Sequence, residues 1–318
     1  MKPLVIYHAD CTDGFGAAFA AWLKLGDEAE YLPMAYGSDW KKLVPAEMDL
    51  GSIAHDREVY ILDFSFPRDV TDYIFDAAKR VIWLDHHKTA LEMWCGKCER
   101  GMRWHELRGR SDEVFILLDD NKSGAMLAWE YFHPNTTPPK LICHIDDRDR
   151  WQFKMEGSKE LHAALQSHKP WNFRQWKESF VDSPGDILSE MSVDMLKADG
   201  ESILRAQDQN VASMAKQARS CAIKFVRMLG EDDDGFLWNG IAVNANLHQS
   251  ELGHVLATQS GTYGLIWCVA ANGKVNCSLR SNGEYDVSAI AKAFGGGGHK
   301  NAAGFETDIS TVMGWLNA

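Results

Sequence analysis

The chain has 318 residues, 45% of them hydrophobic and 25% charged, which supports a sizeable core and predicts two domains. No apolar run reaches the length of a membrane span, and a formal net charge of −12 disfavours a protein that coats long DNA or RNA. Seven scattered cysteines make no disulfide framework, and the N-terminus turns polar too soon for a signal peptide, so a reducing cytoplasm is the expected location.

In chain order, "LVIYHAD" is apolar and β-branched and reads as a first strand. The small, apolar "GFGAAFAAWLKLG" predicts a helix ending at Gly26, and "EAEYLPMAY" a second strand. "EVYILDFSF" predicts a third strand with "DVTDYIFDAAK" as its helix; "RVIWLDHH" and "EVFILLDD" predict two more strands. "SGAMLAWEYF" reads as a helix with Ser123 as N-cap. The stretch "PKLICHIDDRDRW" leaves helix and strand open. Such alternation predicts an α/β fold, a parallel sheet covered by helices, with ligands beyond the carboxyl ends of the strands.

Residues 186–224 are polar and helical, with Gly200 as a possible break, and read as a helical connector between an N-terminal domain (1–185) and a smaller C-terminal α/β domain (225–318). "GEDDDG" at 230–235 reads as a solvated acidic turn. "GIAVNAN", "YGLIWCVAANG" and "KVNCSLRSNG" read as strands, the last two joined at Asn272-Gly273. The helix "DVSAIAKAFG" and the run "GGGGHKNAAGF" complete this domain.

Chemistry-bearing side chains collect at predicted strand ends. "HADCTDG" brings His8, Asp10 and Asp13 to a strand-to-helix turn, and imidazole with carboxylate suits a divalent transition metal. The ordinary alternative is a helix cap beside a loop histidine. Asp63 follows one apolar run, and Asp85, His86 and His87 end another. Adjacent side chains on an extended segment point to opposite sides, so His86 and His87 are expected to differ in role. "HIDDRDRW" adds Asp146, Asp147 and Asp149, not all of which can be ligands. Together these clusters suit a pair of metals roughly 3.5–4 Å apart, with about six to eight ligands and hydrolytic chemistry at a phosphoryl group. The pair Cys95 and Cys98 ("CGKC") has zinc or redox spacing but no partner pair nearby, and reads as two ordinary thiols. Most of the twelve tryptophans are read as core.

"LDHHKT" resembles the motif that names the DHH phosphoesterases. "HADCTDG", "LDFSF" and "IDDRDRW" are similar to that family's first, second and fourth motifs. "SLRSNGEYDVSAIAKAFGGGGHKNAAGF" resembles its associated C-terminal substrate-binding domain, so the resemblance covers nearly the whole chain. It implies a Mn²⁺ pair, with Mg²⁺ or Co²⁺ as substitutes. His8 and Asp10 are expected at the first metal, Asp13, His86 and Asp147 at the second, and Asp63 between both. His87 is expected to face the substrate phosphate, with Asp85 orienting a histidine by a hydrogen bond. Arg280, Gly296, Gly297, Gly298 and His299 are expected to bind substrate. Two departures from the family pattern stand out. Many members separate the two aspartates of the first motif by one residue, whereas two residues separate Asp10 from Asp13. In the fourth motif Asp147 aligns best, with Asp146 one step away.

The expected activity is Mn²⁺-dependent hydrolysis of short oligonucleotides in the manner of a nano-RNase or exonuclease. The alternative is a small-nucleotide phosphohydrolase acting on pAp, dinucleoside polyphosphates or cyclic or linear dinucleotides. A nucleotide-binding protein with a dead site is a third class, which the intact set of candidate ligands disfavours. The partner is a short oligonucleotide or small nucleotide and not a membrane; a homodimer is left open.

Overall fold

The computed structural model describes residues 1–36, 53–95, 103–104, 114–180, 186–225 and 236–316. The chain forms two compact units, Met1–Leu204 and Arg205–Ala318.

The first unit is built on strands β1 (Leu4–His8), β2 (Glu30–Met34), β3 (Glu58–Leu62), β4 (Arg80–Asp85), β5 (Arg103–Trp104) and β6 (Val114–Leu118), in the order β2-β1-β3-β4-β6-β5. All neighbours run parallel except β5, which pairs antiparallel with β6 at the edge. The three central strands are apolar on both faces. Val5, Tyr60, Leu62, Ile82 and Leu84 point into one core, while Leu4, Ile6, Val59, Ile61, Val81 and Trp83 point into the other. A period of two therefore produces near-continuous apolar runs, as a doubly covered parallel sheet requires.

Helix α1 (Thr12–Leu25) packs on the first of these faces and ends where expected, with Gly26 at φ 59° and its amide bonded to Trp22 O. Helices α2 (Arg68–Ala77) and α3 (Lys88–Cys95) follow β3 and β4. Then come α4 (Gly124–Phe132), α5 (Lys140–Asp149), α6 (Ser158–Ser167) and α7 (Phe173–Phe180). The open choice at 139–151 resolves as helix α5, whose Leu141, Ile142 and Ile145 enter the core. Ser123 caps α4 by accepting from Met126 N at 3.3 Å. Trp83, Trp129, Trp176 and Trp315 are buried, as a core role for tryptophan predicts.

The strand order reverses between β1 and β3. Their register sets Tyr7 beside Leu62, and β3 pairs Leu62 with Leu84. The residues one step further, His8, Asp63 and Asp85, consequently form a row on the carboxyl edge of the sheet at its topological switch point.

Helix α8 (Asp186–Ala215) is a single 30-residue helix that crosses the boundary between the units. Gly200 does not break it. A Cβ there would lie 1.9 Å from Glu160 O, so Gly200 is where α8 meets the backbone of α6. The stretch 219–224, read within the connector, instead belongs to strand β7 (Arg219–Phe225), which pairs with β8 (Phe236–Asn244). The acidic turn at 230–235 lies outside the described residues, as do Cys98 and the side chain of Cys95.

The second unit is a mixed sheet in the order β11-β12-β10-β9-β8-β7. Parallel β8 and β9 (Tyr263–Val269) are joined through α9 (Gln249–Ser260), and β9 turns into antiparallel β10 (Val275–Ser281). Gly273, at φ 80°, ends a three-residue loop closed by Ala270 N donating to Lys274 O at 2.8 Å. Helix α10 (Val287–Ala293) leads into β11 (Gly297–His299), which pairs antiparallel with β12 (Ala302–Thr307) before α11 (Ile309–Leu316). No helix among the described residues is long and apolar enough to cross a membrane.

This packing bears on stability at two positions. Gly→Ala inside a solvated helix stabilises, but Gly200→Ala is expected to destabilise by about 1–3 kcal/mol, read from urea unfolding, because backbone must move. His162, beside Thr12 Oγ1 at 3.3 Å, is held down at about 3 by desolvation and then by the charges of Arg148 and Lys169. The unfolded chain thus takes up this proton first as pH falls below about 6.5, and stability is lost between there and about 3. Relative to His162→Gln, the wild type should lose on the order of 1 kcal/mol per pH unit in that window.

Candidate metal centre

Each side chain of the N-terminal cluster is placed by the end of a strand or the start of a helix. His8 ends β1, and Asp63 lies one residue beyond β3 with its amide donating to Leu84 O at 2.9 Å. Asp63 adopts φ 53°, a left-handed conformation that costs a non-glycine residue about 1–3 kcal/mol and persists only where surroundings enforce it. The turn aims a carboxylate that is 1% exposed between two histidines. Oδ2 lies 3.4 Å from His8 Nδ1, and Oδ1 lies 3.0 Å from His86 Nε2.

Two ligand groups stand on either side. His8, Cys11 and Asp63 bring donor atoms within 4.8 Å of one another, and so do Asp13, His86 and Asp149. His86 Nε2 is 3.4 Å from Asp13 Oδ2 and 3.6 Å from Asp149 Oδ2. Asp13 is fixed from behind by the start of α4, where the amides of Gly124 and Ala125 donate to its two oxygens at 2.7 and 2.8 Å. Gly124 permits this approach: a Cβ would fall 2.4 Å from Asp63 Cβ.

Burial alone would raise the Asp63 carboxyl, but His8 and His86 beside it hold it far below the usual carboxylate range. Burial would likewise lower both imidazoles. The neighbouring carboxylates reverse this, taking His86 well above 6.5 and, with Cys11, His8 to about 11. Burial and then the charges of Asp63 and Asp149 push Asp13 up. His8 Nδ1, Asp63 Oδ2 and Asp85 Oδ2 are buried without a hydrogen-bond partner. Concentrated, desolvated carboxylate with orphaned donor atoms is the electrostatic demand of a cation, and nitrogen with oxygen suits divalent transition metals.

Asp85 ends β4 fully buried. Its Oδ1 accepts from His86 N at 2.8 Å and His87 N at 3.3 Å, and bonds His87 Nδ1 at 2.6 Å. The two imidazoles do not point to opposite sides: β4 ends at Asp85, their ring centroids are 4.7 Å apart, and His87 Nδ1 lies 3.9 Å from Asp63 Oδ1. His86 is the nearer to Asp63, at 3.0 Å, and His87 is bonded to Asp85.

Two expected ligands are elsewhere. Asp10, at φ 56°, turns outward; its side chain is 89% exposed and Lys169 Nζ donates to its carbonyl at 2.9 Å. Cys11 takes the inward position beside His8. Asp147 faces away from the cluster, accepting from Lys154 N (2.8 Å), Met155 N (3.1 Å) and Ser158 Oγ (2.7 Å), so its carboxylate braces the turn before α6. Asp149, not Asp147, stands beside His86, in the place expected of Asp147. Asp146 accepts from Ser123 N at 2.7 Å and supports the start of α4. Tyr36 has no place in the sequence-based set: its ring lies 5.0 Å from that of His8 and 5.6 Å from that of His87, stacked on Phe64.

In the second unit, Arg280 and His299 both pair with Ala302, from opposite sides, and so share one row across three strands. Arg280 donates to Ser278 Oγ and Ser250 Oγ, each at 3.0 Å, and to Leu279 O at 2.9 Å. The glycine run is ordered hairpin: Gly297 and Gly298 pair with Gly304 and Ala303. A Cβ on Gly296 would meet Gly304 O at 2.1 Å, and the Gly296 amide already donates to Ala291 O at 2.8 Å.

Residues 236–312 match the DHHA1 domain model. Over an alignment of 325 positions the chain is 30% identical to uncharacterized protein R106 of Acanthamoeba polyphaga mimivirus, covering 98% of this chain and 69% of that protein. Among solved structures it is similar to RecJ of Thermus thermophilus in complex with Mn²⁺, at 13% identity and TM-score 0.46, covering 98% of this chain and 50% of that one. It is also similar to the pGpG-specific phosphodiesterase PggH of Vibrio cholerae, at 10% identity and TM-score 0.39, covering 98% and 94%. The DHHA1 match lies where the glycine-rich motifs stand, the DHH triplet closes β4 ahead of it, and the chain belongs to the DHH family.

Proposed function

We propose that the chain is a phosphodiesterase that hydrolyses short oligonucleotides at a pair of divalent ions, Mn²⁺ being the ion the family resemblance indicates. The observation that carries this reading is Asp63, which offers one oxygen to the His8 side and the other to the His86 side. His8, Cys11 and Asp63 would hold one ion; Asp63, Asp13, His86 and Asp149 the other. When bound, such a pair supplies an activated water and neutralises charge on a phosphoryl group.

The remaining roles belong to the protein. Asp85 accepts from His87 Nδ1, which orients the ring and leaves Nε2 for the substrate side, where it accepts a proton in the neutral ring or donates to phosphate in the imidazolium form. The start of α4 holds Asp13 in a single orientation, and Gly124 leaves room for Asp63. We assign the N-terminal unit to catalysis. The DHHA1 unit would recognise what is attached to the phosphate, with Arg280 and His299 as its cationic and hydrogen-bonding row. The net charge of −12 agrees with short substrates held by a few local groups.

Three outcomes test the assignment. Asp149→Asn should lower turnover of a labelled dinucleotide by more than about 100-fold with little change in melting temperature, whereas Asp147→Asn should cost about 1–3 kcal/mol of stability and far less turnover. The reverse pattern would return the ligand role to Asp147. Gly124→Ala should reduce turnover by pressing on Asp63, and a fully active variant would mean that Gly124 has no part in positioning it. A panel of linear dinucleotide, pAp and longer single strands, with Mn²⁺ against Mg²⁺, should show the fastest metal-dependent hydrolysis on the short linear substrate. Preference for pAp would instead select small-nucleotide hydrolysis, and hydrolysis unaffected by EDTA would overturn both readings.

A further inference from the structure

The two ligand groups around Asp63 are chemically unequal. One is nitrogen and oxygen alone: Asp13, His86 and Asp149. The other places a thiol, Cys11, with His8 and Asp63. The left-handed turn at Asp10 is what makes the difference. It sends the carboxylate to solvent, where Lys169 fixes the loop, and leaves the next side chain facing inward. Cys11 stands at the N-cap position of α1 and makes no capping hydrogen bond, so helix termination does not account for it. Opposite it, Asp63 Oδ2, on a residue only 1% exposed, and His8 Nδ1 are buried 3.4 Å apart as an ion pair, and neither makes a hydrogen bond. Three donors of different softness therefore converge on one volume, two of them making no hydrogen bond.

We infer that Cys11 is a metal ligand, and that it makes the His8 side of the pair a position for a borderline or thiophilic ion such as Zn²⁺ or Co²⁺, while the Asp13–His86–Asp149 side remains suited to Mn²⁺. A thiolate is a softer donor than the carboxylate that Asp10 would have supplied, and it selects Zn²⁺ over Mn²⁺ more strongly than oxygen does. Any nitrogen and oxygen site already prefers Zn²⁺ to Mn²⁺, so the informative quantity is how that preference changes with the residue at position 11. The inference rests on the two-ion reading above and adds to it an inequality between the ions.

The test uses the full chain, stripped of metal and titrated with Co²⁺, with bound metal counted directly. The wild type should bind two ions and develop a near-ultraviolet thiolate-to-cobalt charge-transfer band corresponding to one of them, and Cys11→Ser should lose that band. Equilibrium dialysis against mixed Zn²⁺ and Mn²⁺ should show the bound Zn²⁺ to Mn²⁺ ratio falling by at least about tenfold in Cys11→Asp. Two Co²⁺ bound to the wild type without the band would overturn the thiolate ligand and leave the two-ion reading standing; this arm needs no variant to fold. A band that survives in Cys11→Ser, or a ratio unchanged in Cys11→Asp, would also overturn it. Failure of the wild type to bind any divalent ion would overturn the two-ion reading together with the inference.

Discussion

A buried carboxylate held in a left-handed turn organises the N-terminal unit. Asp63 is nearly inaccessible, its conformation is unfavourable for any residue with a Cβ, and one of its oxygens makes no hydrogen bond. Burying such a charge costs several kcal/mol unless something opposite in sign stands beside it. His8 and His86 supply that charge in the isolated chain, and a pair of cations would supply it more fully. Around this constraint the rest is arranged: the sheet register delivers His8, Asp63 and Asp85 to one edge, and Gly124 lets the start of α4 come close enough to grip Asp13. The cluster is thus a property of the sheet's carboxyl edge, of the starts of α1 and α4 and of the end of α5.

The second unit obeys a different rule. Its glycines are required by its own hairpin, since a side chain at Gly296 would collide with Gly304 O. The run that looks like a linker is a tight strand pairing, and it fixes His299 and Arg280 in one row about Ala302. Rigid placement of a cation and an imidazole suits recognition of a phosphate-bearing group, because the geometry is set before the ligand arrives.

Much of this is legible in the residues. The apolar runs before His8, Asp63 and Asp85 mark the three central strands, but the alternation expected of His86 and His87 fails because β4 ends at Asp85 and both rings stay in one cluster. Two candidate ligand positions are not legible, each for a local reason. At Asp10 a positive φ, which no motif spells out, exchanges the inward and outward side chains and brings Cys11 to the cluster. At Asp147 and Asp149 the undecided state of 139–151 matters: residues two apart share a face on a strand but lie about 200° apart on a helix. The segment is helix α5, so one aspartate braces the following turn and the other faces His86. Gly200 suggests a helix break when read locally, whereas its role is set by the backbone of Glu160 on another helix.

Whether Asp63 joins two cation positions is decided most simply by anomalous diffraction from crystals grown with Mn²⁺. Two peaks should flank Asp63, roughly 3.5–4 Å apart, one against His8 and Cys11 and the other against Asp13, His86 and Asp149. A single peak, or peaks that bypass Asp63, would contradict the bridging role.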